Sequence, residues 1–379
     1  MMIYPIDSRD RELAKLLVRY STKTRPGDLV FIACSGMDAL RLAAACAEEA
    51  LAVGAAPYVQ FVPPELQRET ITHATEEVFK LIGRFELRQM KAANVFIGIR
   101  GPENIFELRG VPPKQMELYS RYIVKPVHLE QRVKHTRWVV TRYPNAAMAQ
   151  LAQMNTAEFA DFYYRVCLAD YSRMARAAAR LKALMEATDE VRIKGPDTDL
   201  TFSIRGIPAV PCCGEMNVPD GECFTAPVRT SVNGTVRFNA PTVWEGQAFE
   251  NIWLRFKNGK VLDARAATSE QTKLLNRILD RDAGARYVGE FSIAFHPGIR
   301  EPMRDILFDE KISGSFHMAL GQCYDEAPNG NRSAVHWDLV CIQRPDYGGG
   351  EIWFDGQLVR KDGLFTHKAL KALNPENLR

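Results

Sequence analysis

The chain has 379 residues, of which 46% are hydrophobic and 25% are charged, and its formal net charge is +3. This composition is typical of a globular protein, and the length allows two domains. The small, dispersed charge argues against a nucleic-acid partner and against binding to an anionic membrane.

Three features of the sequence bear on where the protein is located in the cell. Charged residues interrupt every apolar run in the first 21 residues, which therefore lack the core of a signal peptide. No run of about 18 apolar residues occurs, so we expect no transmembrane helix. The eight cysteines are scattered without CxxC spacing, which favours reduced thiols over zinc–sulfur sites or disulfides. These features predict a cytoplasmic protein.

The first half of the chain alternates between strand and helix patterns. Helical spacing of apolar residues over Arg9–Tyr20 precedes a short apolar run, Leu29–Ala33, which is typical of a buried strand. An Ala- and Leu-rich helix is predicted over 39–53. Later segments repeat the pattern, with a strand at 57–62, a helix at 69–90, and strands at 94–99 and 137–142. Such alternation predicts a parallel sheet flanked by helices.

The turn after the first strand does not carry a nucleotide-binding signature. It reads Cys34-Ser-Gly-Met-Asp38, which matches neither GxGxxG nor GxxxxGK[ST]. A single glycine at Gly36 is what a tight strand-to-helix turn needs in any case. We therefore interpret this half as a scaffold domain.

The second half changes to a hairpin pattern. A long helical region over Thr156–Thr188, with Thr156 as its N-cap, leads into three predicted hairpins. Their turn sequences are Pro196–Asp199, Lys257–Gly259 and Asp355-Gly356. A helix over Glu270–Asp282 lies between hairpins. The prediction is an α/β scaffold domain at 1–188, followed by a β-rich α+β domain at 189–379 that carries the site.

Two carboxylates in the second half are candidate metal ligands. Glu222 lies in a turn whose Pro219, Gly221 and Pro227 restrict the backbone and can present one carboxylate inward, although a solvated surface turn has the same pattern. Glu290 precedes an apolar strand, where an unpaired carboxylate is costly unless it is paired or metal-bound.

Two histidines and an aspartate complete the candidate set. His336 and Asp338 flank Trp337, and alternate residues of a strand share a face, so the two side chains project together. His317 is flanked by apolar residues and would, taken alone, more often be a core histidine. The chain's other histidines have no comparable partners and are expected to be structural or exposed; these are His73, His128, His135, His296 and His367.

The full set is Glu222, Glu290, His317, His336 and Asp338. Carboxylates mixed with imidazoles suit divalent zinc, manganese or cobalt. Five ligands exceed what one catalytic zinc needs, and they fit two ions about 3.5–4 Å apart that share a carboxylate. The residues alone therefore predict a metal-dependent hydrolase.

At these positions the sequence resembles the thermophilic aminopeptidase family, the M29 metallopeptidases. The resemblance runs almost end to end, and its most specific blocks are Asn217–Pro227, Phe249–Ile252 with Asn258–Lys260, and Leu307–Glu310 with His317–Gly321. It implies an aminopeptidase that acts on peptides with a free N-terminus, and a homodimer.

The resemblance also implies roles for individual residues. The five residues named above are the expected ligands of two divalent ions that activate a hydroxide, with Glu290 as the bridge. Glu310 matches an acidic site position that ligates metal or acts as a base. Tyr324 matches a tyrosine that stabilises the tetrahedral intermediate. The expected catalytic residues are therefore Glu290, Glu310 and Tyr324.

Two alternatives remain open from the sequence. A pyridinediol dioxygenase is similar to this peptidase fold, and His317, His336 and Asp338 could hold one Fe(II) for ring cleavage. Glu222 and Glu290 argue for two metals instead. A non-catalytic peptide-binding protein is the third possibility, but it would lack a ligand, and all five are present.

Overall fold

The computed structural model describes residues 6–378, which form two compact units. The first contains the described residues up to Leu168 together with Gly214–Val218. The second contains Ala169–Cys213 and the described residues from Pro219 onward. The boundary predicted at residue 188 stays a prediction. The compact units differ from it, because residues 169–188 belong to the second unit and Gly214–Val218 belong to the first.

Helices account for most of the regular structure in the first unit, and strands for most of it in the second. The helices are α1 Ser8–Lys15, α2 Leu40–Ala52, α3 Pro64–His73, α4 Glu76–Ala92, α5 Pro113–Tyr119, α6 Val133–His135, α7 Ala146–Leu151, α8 Thr156–Cys167, α9 Tyr171–Ala187, α10 Ser269–Leu279, α11 Ile306–Asp309 and α12 Pro375–Leu378. The strands are β1 Leu29–Ser35, β2 Ala56–Phe61, β3 Val95–Arg100, β4 Arg137–Arg142, β5 Glu190–Gly195, β6 Thr198–Ser203, β7 Val210–Cys212, β8 Asn217–Val218, β9 Glu222–Thr225, β10 Asn233–Phe238, β11 Thr242–Trp244, β12 Gln247–Phe249, β13 Ile252–Lys257, β14 Lys260–Arg265, β15 Val288–Ala294, β16 Ser315–Gly321, β17 His336–Ile342, β18 Glu351–Phe354, β19 Gln357–Lys361 and β20 Leu364–Phe365. Leu16–Ser21 and Ser120–Arg132 are π-helical, and Pro345–Tyr347 and Lys368–Leu373 are 3-10 helices.

The first unit is built on a five-stranded sheet in the order β2-β1-β3-β4-β8. Every neighbouring pair in it is parallel, which confirms the predicted α/β scaffold. The central strand β3 is buried from Val95 to Ile99, as expected for a strand covered on both faces. The short strand β8 was not predicted, because two residues carry no periodic signal.

Two long predicted helices are each interrupted in the structure. The helix predicted over 69–90 is two helices, α3 and α4, because the side chain of Thr75 accepts a hydrogen bond from the main-chain N–H of Val78 and starts a new helix. The helical region predicted over 156–188 divides into α8 and α9, with Asp170 capping α9. The predicted N-cap Thr156 is wrong by one residue, since Asn155 caps α8.

The second unit is mainly antiparallel, which confirms the predicted β-rich second half. An eight-stranded sheet has the order β14-β13-β10-β6-β5-β18-β19-β20 and contains the three predicted hairpins. A separate five-stranded sheet has the order β17-β16-β15-β9-β7. Strands β15 and β16 of that sheet are buried along their whole length. This second sheet carries the candidate ligands.

Among residues 6–378, no helix combines the length and the apolar character needed to cross a bilayer. All eight cysteines lie in this range as free thiols, and seven of them are buried.

Candidate metal centre

The strand register of the five-stranded sheet brings the five predicted ligands to one face. In β15, Glu290 pairs with Ala319 and Ser292 pairs with His317. On the far side of β16, Ala319 pairs with Asp338 and Gly321 pairs with His336. Glu222 of β9 pairs with Ala294 of β15. Because paired residues and alternate residues of a strand point to the same face, all five side chains converge.

A β-bulge at Gly289 helps to set this register. The pairing of β15 with β16 shifts between Val288 and Glu290. A Cβ at Gly289 would lie 2.3 Å from the main-chain oxygen of Gln322 and 2.4 Å from that of Gly321. No side chain fits there, so the close approach of two backbones beside Glu290 requires glycine.

His336 is held by its Nδ1 atom and presents Nε2 to carboxylates. Nδ1 lies 2.8 Å from the main-chain oxygen of Gln322, to which it donates a hydrogen bond. Nε2 lies 3.4 Å from Glu290 Oε2 and 3.5 Å from Asp338 Oδ1. Nε2 is buried but has no hydrogen-bond partner among the described residues. A buried nitrogen aimed at two carboxylates without bonding either is suited to a cation between them.

His317 has the same arrangement and is 1% exposed. Its Nδ1 lies 3.2 Å from the main-chain oxygen of Glu310 and donates to it. Its Nε2 lies 3.2 Å from Glu290 Oε1 and 3.4 Å from Glu222 Oε2. Fixing Nδ1 on a backbone carbonyl and leaving Nε2 as the ligand atom is the usual way in which proteins orient metal-binding histidines.

Charge within the cluster shifts the pKa values of its members. Burial favours the neutral ring of His317, but the carboxylates of Glu222 and Glu290 outweigh it and raise its pKa to about 10. Burial opposes ionisation of Asp338 as well, yet the imidazole of His336 lowers the pKa of that carboxyl to about 2. The two protonated imidazoles thus partly neutralise the negative charge of the carboxylates. A divalent ion would neutralise it as well.

Glu310 lies beside the same cluster, opposite His317 and Asp338. One of its carboxylate oxygens lies within 4.8 Å of a ligand atom of His317 and of one of Asp338, so the three residues could share one ion. Burial raises the pKa of Glu310 to about 8, although the ammonium of Lys311 opposes that rise. Glu310 can therefore hold a proton near neutral pH, unlike Glu290 and Asp338, whose pKa values are lowered by the imidazoles.

Tyr324 lies at the entrance to the cluster. Its ring is 4.7 Å from that of His336 and 5.5 Å from that of Phe224. The residue is 44% exposed. The side chain is therefore partly open to solvent, while its ring packs against a candidate ligand.

Three further polar residues belong to this cluster and were not predicted from the sequence. Lys311 is fully buried, with its Nζ 2.8 Å from Glu310 Oε1, 3.4 Å from Asp220 Oδ1 and in ion-pair contact with Glu222 Oε1. Ser292 Oγ donates to Glu222 Oε2 over 2.8 Å. Asp220, 1% exposed, is the third.

A sequence signal existed for each missed residue. Lys311 directly follows the candidate site residue Glu310, Ser292 shares a strand face with Glu290, and Asp220 lies in the same turn as Glu222. Cys212 also lies within ligand distance of Asp220 and Glu222, but burial raises the pKa of its thiol well above the usual range.

The remaining histidines lie outside the cluster. His296 is buried, and its Nδ1 accepts a hydrogen bond from the main-chain N–H of Gly298. His128 packs edge-on against Phe96 in the first unit. His73 is exposed and lies 3.4 Å from Glu69.

The donor set fits a divalent metal ion. The candidate ligands form overlapping groups, in each of which the ligand atoms lie within 4.8 Å of one another: Glu222–Glu290–His317, Glu290–His336–Asp338 and Glu310–His317–Asp338. Oxygen and imidazole nitrogen are the donors that zinc, manganese and cobalt accept. A buried group of this kind on one sheet face is a candidate metal centre of a metal-dependent enzyme.

Comparison with known proteins gives the family. The sequence profile of the thermophilic metalloprotease family (M29) matches residues 7–356. Aminopeptidase T of Thermus thermophilus is 27% identical over 94% of this chain and 95% of its own length, and aminopeptidase PepS of Streptococcus thermophilus is 26% identical over 92% and 94%. A shorter match to aminopeptidase T of Thermus aquaticus, 33% identical, spans 44% of this chain and 45% of that protein. The chain therefore belongs to the M29 metalloproteases, which confirms the predicted family and the predicted enzyme class, a metal-dependent exopeptidase.

Solved structures show the same fold. Wild-type AmpT from Thermus thermophilus superposes with a TM-score of 0.80 at 23% identity, covering 95% of this chain and 99% of that one. A 2,5-dihydroxypyridine dioxygenase from Pseudomonas putida KT2440 superposes with a TM-score of 0.64 at 15% identity, covering 97% of this chain and 100% of that one. Both likenesses concern the fold alone.

Proposed function

We propose that this chain is an aminopeptidase that removes the N-terminal residue from peptides with a free N-terminus. It would hold two divalent ions between Glu222, Glu290, His317, His336 and Asp338, with Glu290 shared by the two. The observation that supports this most is the position of Glu290, whose two oxygens face different imidazoles: Oε1 lies 3.2 Å from His317 Nε2, and Oε2 lies 3.4 Å from His336 Nε2. A carboxylate with one oxygen in each half of a site is suited to bridging two ions.

Zinc, cobalt or manganese would suit this mixed set of carboxylates and imidazoles. When bound, such ions polarise a carbonyl and lower the pKa of a coordinated water, which is the chemistry that peptide hydrolysis requires. The imidazoles of His317 and His336 would hold them in place, since the ring orientations are fixed by the carbonyls of Glu310 and Gln322.

Glu310 is suited to moving the proton. Its carboxyl group lies beside His317 and Asp338, where it could accept a proton from the attacking water. The receiving atom would be the leaving amine of the peptide. Glu290, with its pKa lowered, is the weaker base of the two and serves mainly as the shared ligand.

Tyr324 is suited to stabilising the oxyanion. Its ring rests against His336, so the phenol O–H stands near the metal ligands yet remains accessible to substrate. A hydrogen bond donated to the tetrahedral intermediate would lower the barrier.

The test is hydrolysis of aminoacyl-p-nitroanilides by protein treated with EDTA and then dialysed. We expect activity to be lost on chelation and restored by zinc, cobalt or manganese. The matched N-acetylated substrate should not be cleaved, because it has no free amine. Activity that survives thorough metal removal, or equal cleavage of the acetylated substrate, would contradict the proposal.

The second candidate function is ring cleavage at a single Fe(II). The likeness to the dioxygenase fold favours it, as does the grouping of His317 and His336 around Asp338 Oδ1, at 3.9 and 3.5 Å. The buried carboxylate of Glu290 favours the peptidase, because its two oxygens face different imidazoles, those of His317 and His336, as a ligand shared by two ions would. One iron per chain with oxygen consumption on a dihydroxypyridine would favour the dioxygenase.

We extend the proposal to a cytoplasmic homodimer. Seven buried, free cysteines are suited to a reducing compartment. Helix α4 exposes a stripe of Val78, Leu81 and Phe85, at 41%, 61% and 61%, which a second copy could cover. Light scattering on the purified protein should give twice the chain mass of 42.7 kDa, and a monomer at all concentrations would refute the dimer.

A further inference from the structure

Lys311 is a wholly enclosed positive charge within the carboxylate cluster. Its side chain is 0% exposed, and its ammonium contacts one oxygen each of Asp220, Glu222 and Glu310. Lysine is rarely buried to this degree unless it is paired. Here the ammonium already neutralises part of the negative charge that would otherwise attract metal.

Withdrawal of this ammonium would be costly. An ammonium that leaves its carboxylate partners inside a protein keeps the desolvation penalty without the compensating attraction. Because the whole side chain is enclosed, it cannot reach water by a simple rotation. The ammonium of Lys311 therefore stays among these carboxylates when a metal ion binds.

The two halves of the proposed centre differ in their relation to Lys311. In the first half, formed by Glu290, His336 and Asp338, the side chains make no ion pair with Lys311 among the described residues. In the second half, formed by Glu222, Glu290 and His317, Glu222 already uses Oε1 for Lys311 and accepts from Ser292 at Oε2. An ion in this half finds a carboxylate whose Oε1 is paired with an ammonium and whose Oε2 already accepts a hydrogen bond, and it faces a like charge.

We propose that Lys311 competes with one of the two ions, so that the Glu222 half binds metal much more weakly than the His336–Asp338 half. This inference rests on the proposed two-ion function, and it makes one ion firmly held and the other exchangeable. Repulsion between a buried ammonium and a divalent ion that share a carboxylate is strong at interior dielectric. We expect at least about a tenfold difference in affinity, which corresponds to about 1.4 kcal/mol.

The first experiment uses the wild-type protein alone. Metal-free protein is titrated with Mn(II) while electron paramagnetic resonance is recorded. The first equivalent should give the spectrum of isolated ions, and the spectrum of a coupled pair should grow only well after one equivalent. If the spectrum of coupled pairs instead grows in proportion to the added Mn(II) from the first addition, the two sites have equal affinity or bind cooperatively. That result would overturn the proposal.

The second experiment compares Lys311→Met with a matched control, Lys182→Met. Lys182 has a side chain 40% exposed and pairs with Glu186, so this control removes one positive charge from the surface. Titration calorimetry with Zn(II) should show the weaker affinity rising at least about tenfold in Lys311→Met. Both affinities should be unchanged in Lys182→Met. If wild type binds one ion only and Lys311→Met binds two, the proposal is supported in its strongest form.

An unchanged weak site in a folded Lys311→Met protein would overturn the proposal. One ion in both proteins would overturn it too. Circular dichroism checks folding, and if the variant does not fold, the wild-type resonance titration decides. Failure of the two-ion aminopeptidase function is distinguishable, since it would appear as absence of chelator-sensitive peptidase activity, whereas equal sites in an active enzyme refute only the role of Lys311.

Discussion

At the scale of single residues, the phenol of Tyr324 offers a sharp test of the chemistry. Tyr324→Phe removes the O–H and keeps the ring that rests on His336. If this group stabilises the oxyanion, kcat should fall by about 10²–10³-fold while KM changes little, as when other donors to a developing oxyanion are removed. Steady-state kinetics on an aminoacyl-p-nitroanilide measures both constants.

The control for this variant is Tyr347→Phe, since Tyr347 donates its O–H to Glu301 away from the cluster. Its kinetics should match wild type, and both variants should keep the wild-type metal content. A kcat for Tyr324→Phe equal to that of wild type would remove this residue from the mechanism.

Some residues of the candidate site can be predicted from the sequence by their residue type, and others cannot. Glu222 stood out in a turn that prolines restrict, and the other four candidate ligands stood out because histidines and acids are uncommon in apolar strands. The fold places all five on one sheet face. Lys311 did not stand out, because lysines are usually exposed. Its burial comes from the packing of residues distant in sequence, such as Asp220 and Glu222. A local pattern carries no such information.

At the scale of elements, the bulge at Gly289 links strand geometry to the site. Gly289→Ala would place a methyl group within 2.4 Å of two main-chain oxygens. Strands β15 and β16 must then move apart beside Glu290, so we expect a loss of about 1–3 kcal/mol in the free energy of unfolding. We also expect weaker metal binding, because the register of the ligands depends on this pairing.

Gly195→Ala is the matched control. Gly195 also lies in a strand of the second unit, but a Cβ there would make only ordinary contacts, the nearest at 3.5 Å. Urea denaturation should give this control nearly wild-type stability. If both variants lose the same stability, or if Gly289→Ala binds metal normally, the bulge does not set the site.

Elements differ in how far sequence predicts them. The hairpin of β13 and β14 follows from local turn chemistry at Asn258-Gly259, which the structure bears out. The breaks between α3 and α4 and between α8 and α9 are harder, since apolar spacing continues across both. At both breaks a polar N-cap residue, Thr75 or Asp170, accepts a main-chain hydrogen bond and starts a new helix. This capping is more favourable than continuing the first helix.

At the scale of the whole molecule, the two units differ in the ionisable groups that they remove from solvent. The second unit concentrates buried charge around Lys311 and the candidate ligands. In the first unit, the half-buried ring of His128 packs on Phe96, where the charges of Arg132 and Arg100 act on it. Such groups make stability depend on pH, each within its own range.

His128 therefore gives a prediction for acid stability. Burial, with help from Arg132 and Arg100, lowers the pKa of His128 from 6.5 to about 4. A histidine whose pKa is lowered by folding binds its proton more readily in the unfolded chain. It therefore contributes stability above pH 6.5 that is lost as the pH falls towards 4.

We expect His128→Leu, which cannot be protonated, to lose less stability than wild type between pH 7 and pH 4. Because part of the ring reaches solvent, the difference should be on the order of 2 kcal/mol, below the full value of about 1.4 kcal/mol per unit of pKa shift. Urea denaturation of both proteins at each pH, without metal, measures it. The candidate metal ligands titrate in both proteins, so their effect cancels in the difference. Parallel losses in the two proteins would mean that His128 is solvated as a charged ring in the folded state, and its burial in the first unit would then not govern acid stability.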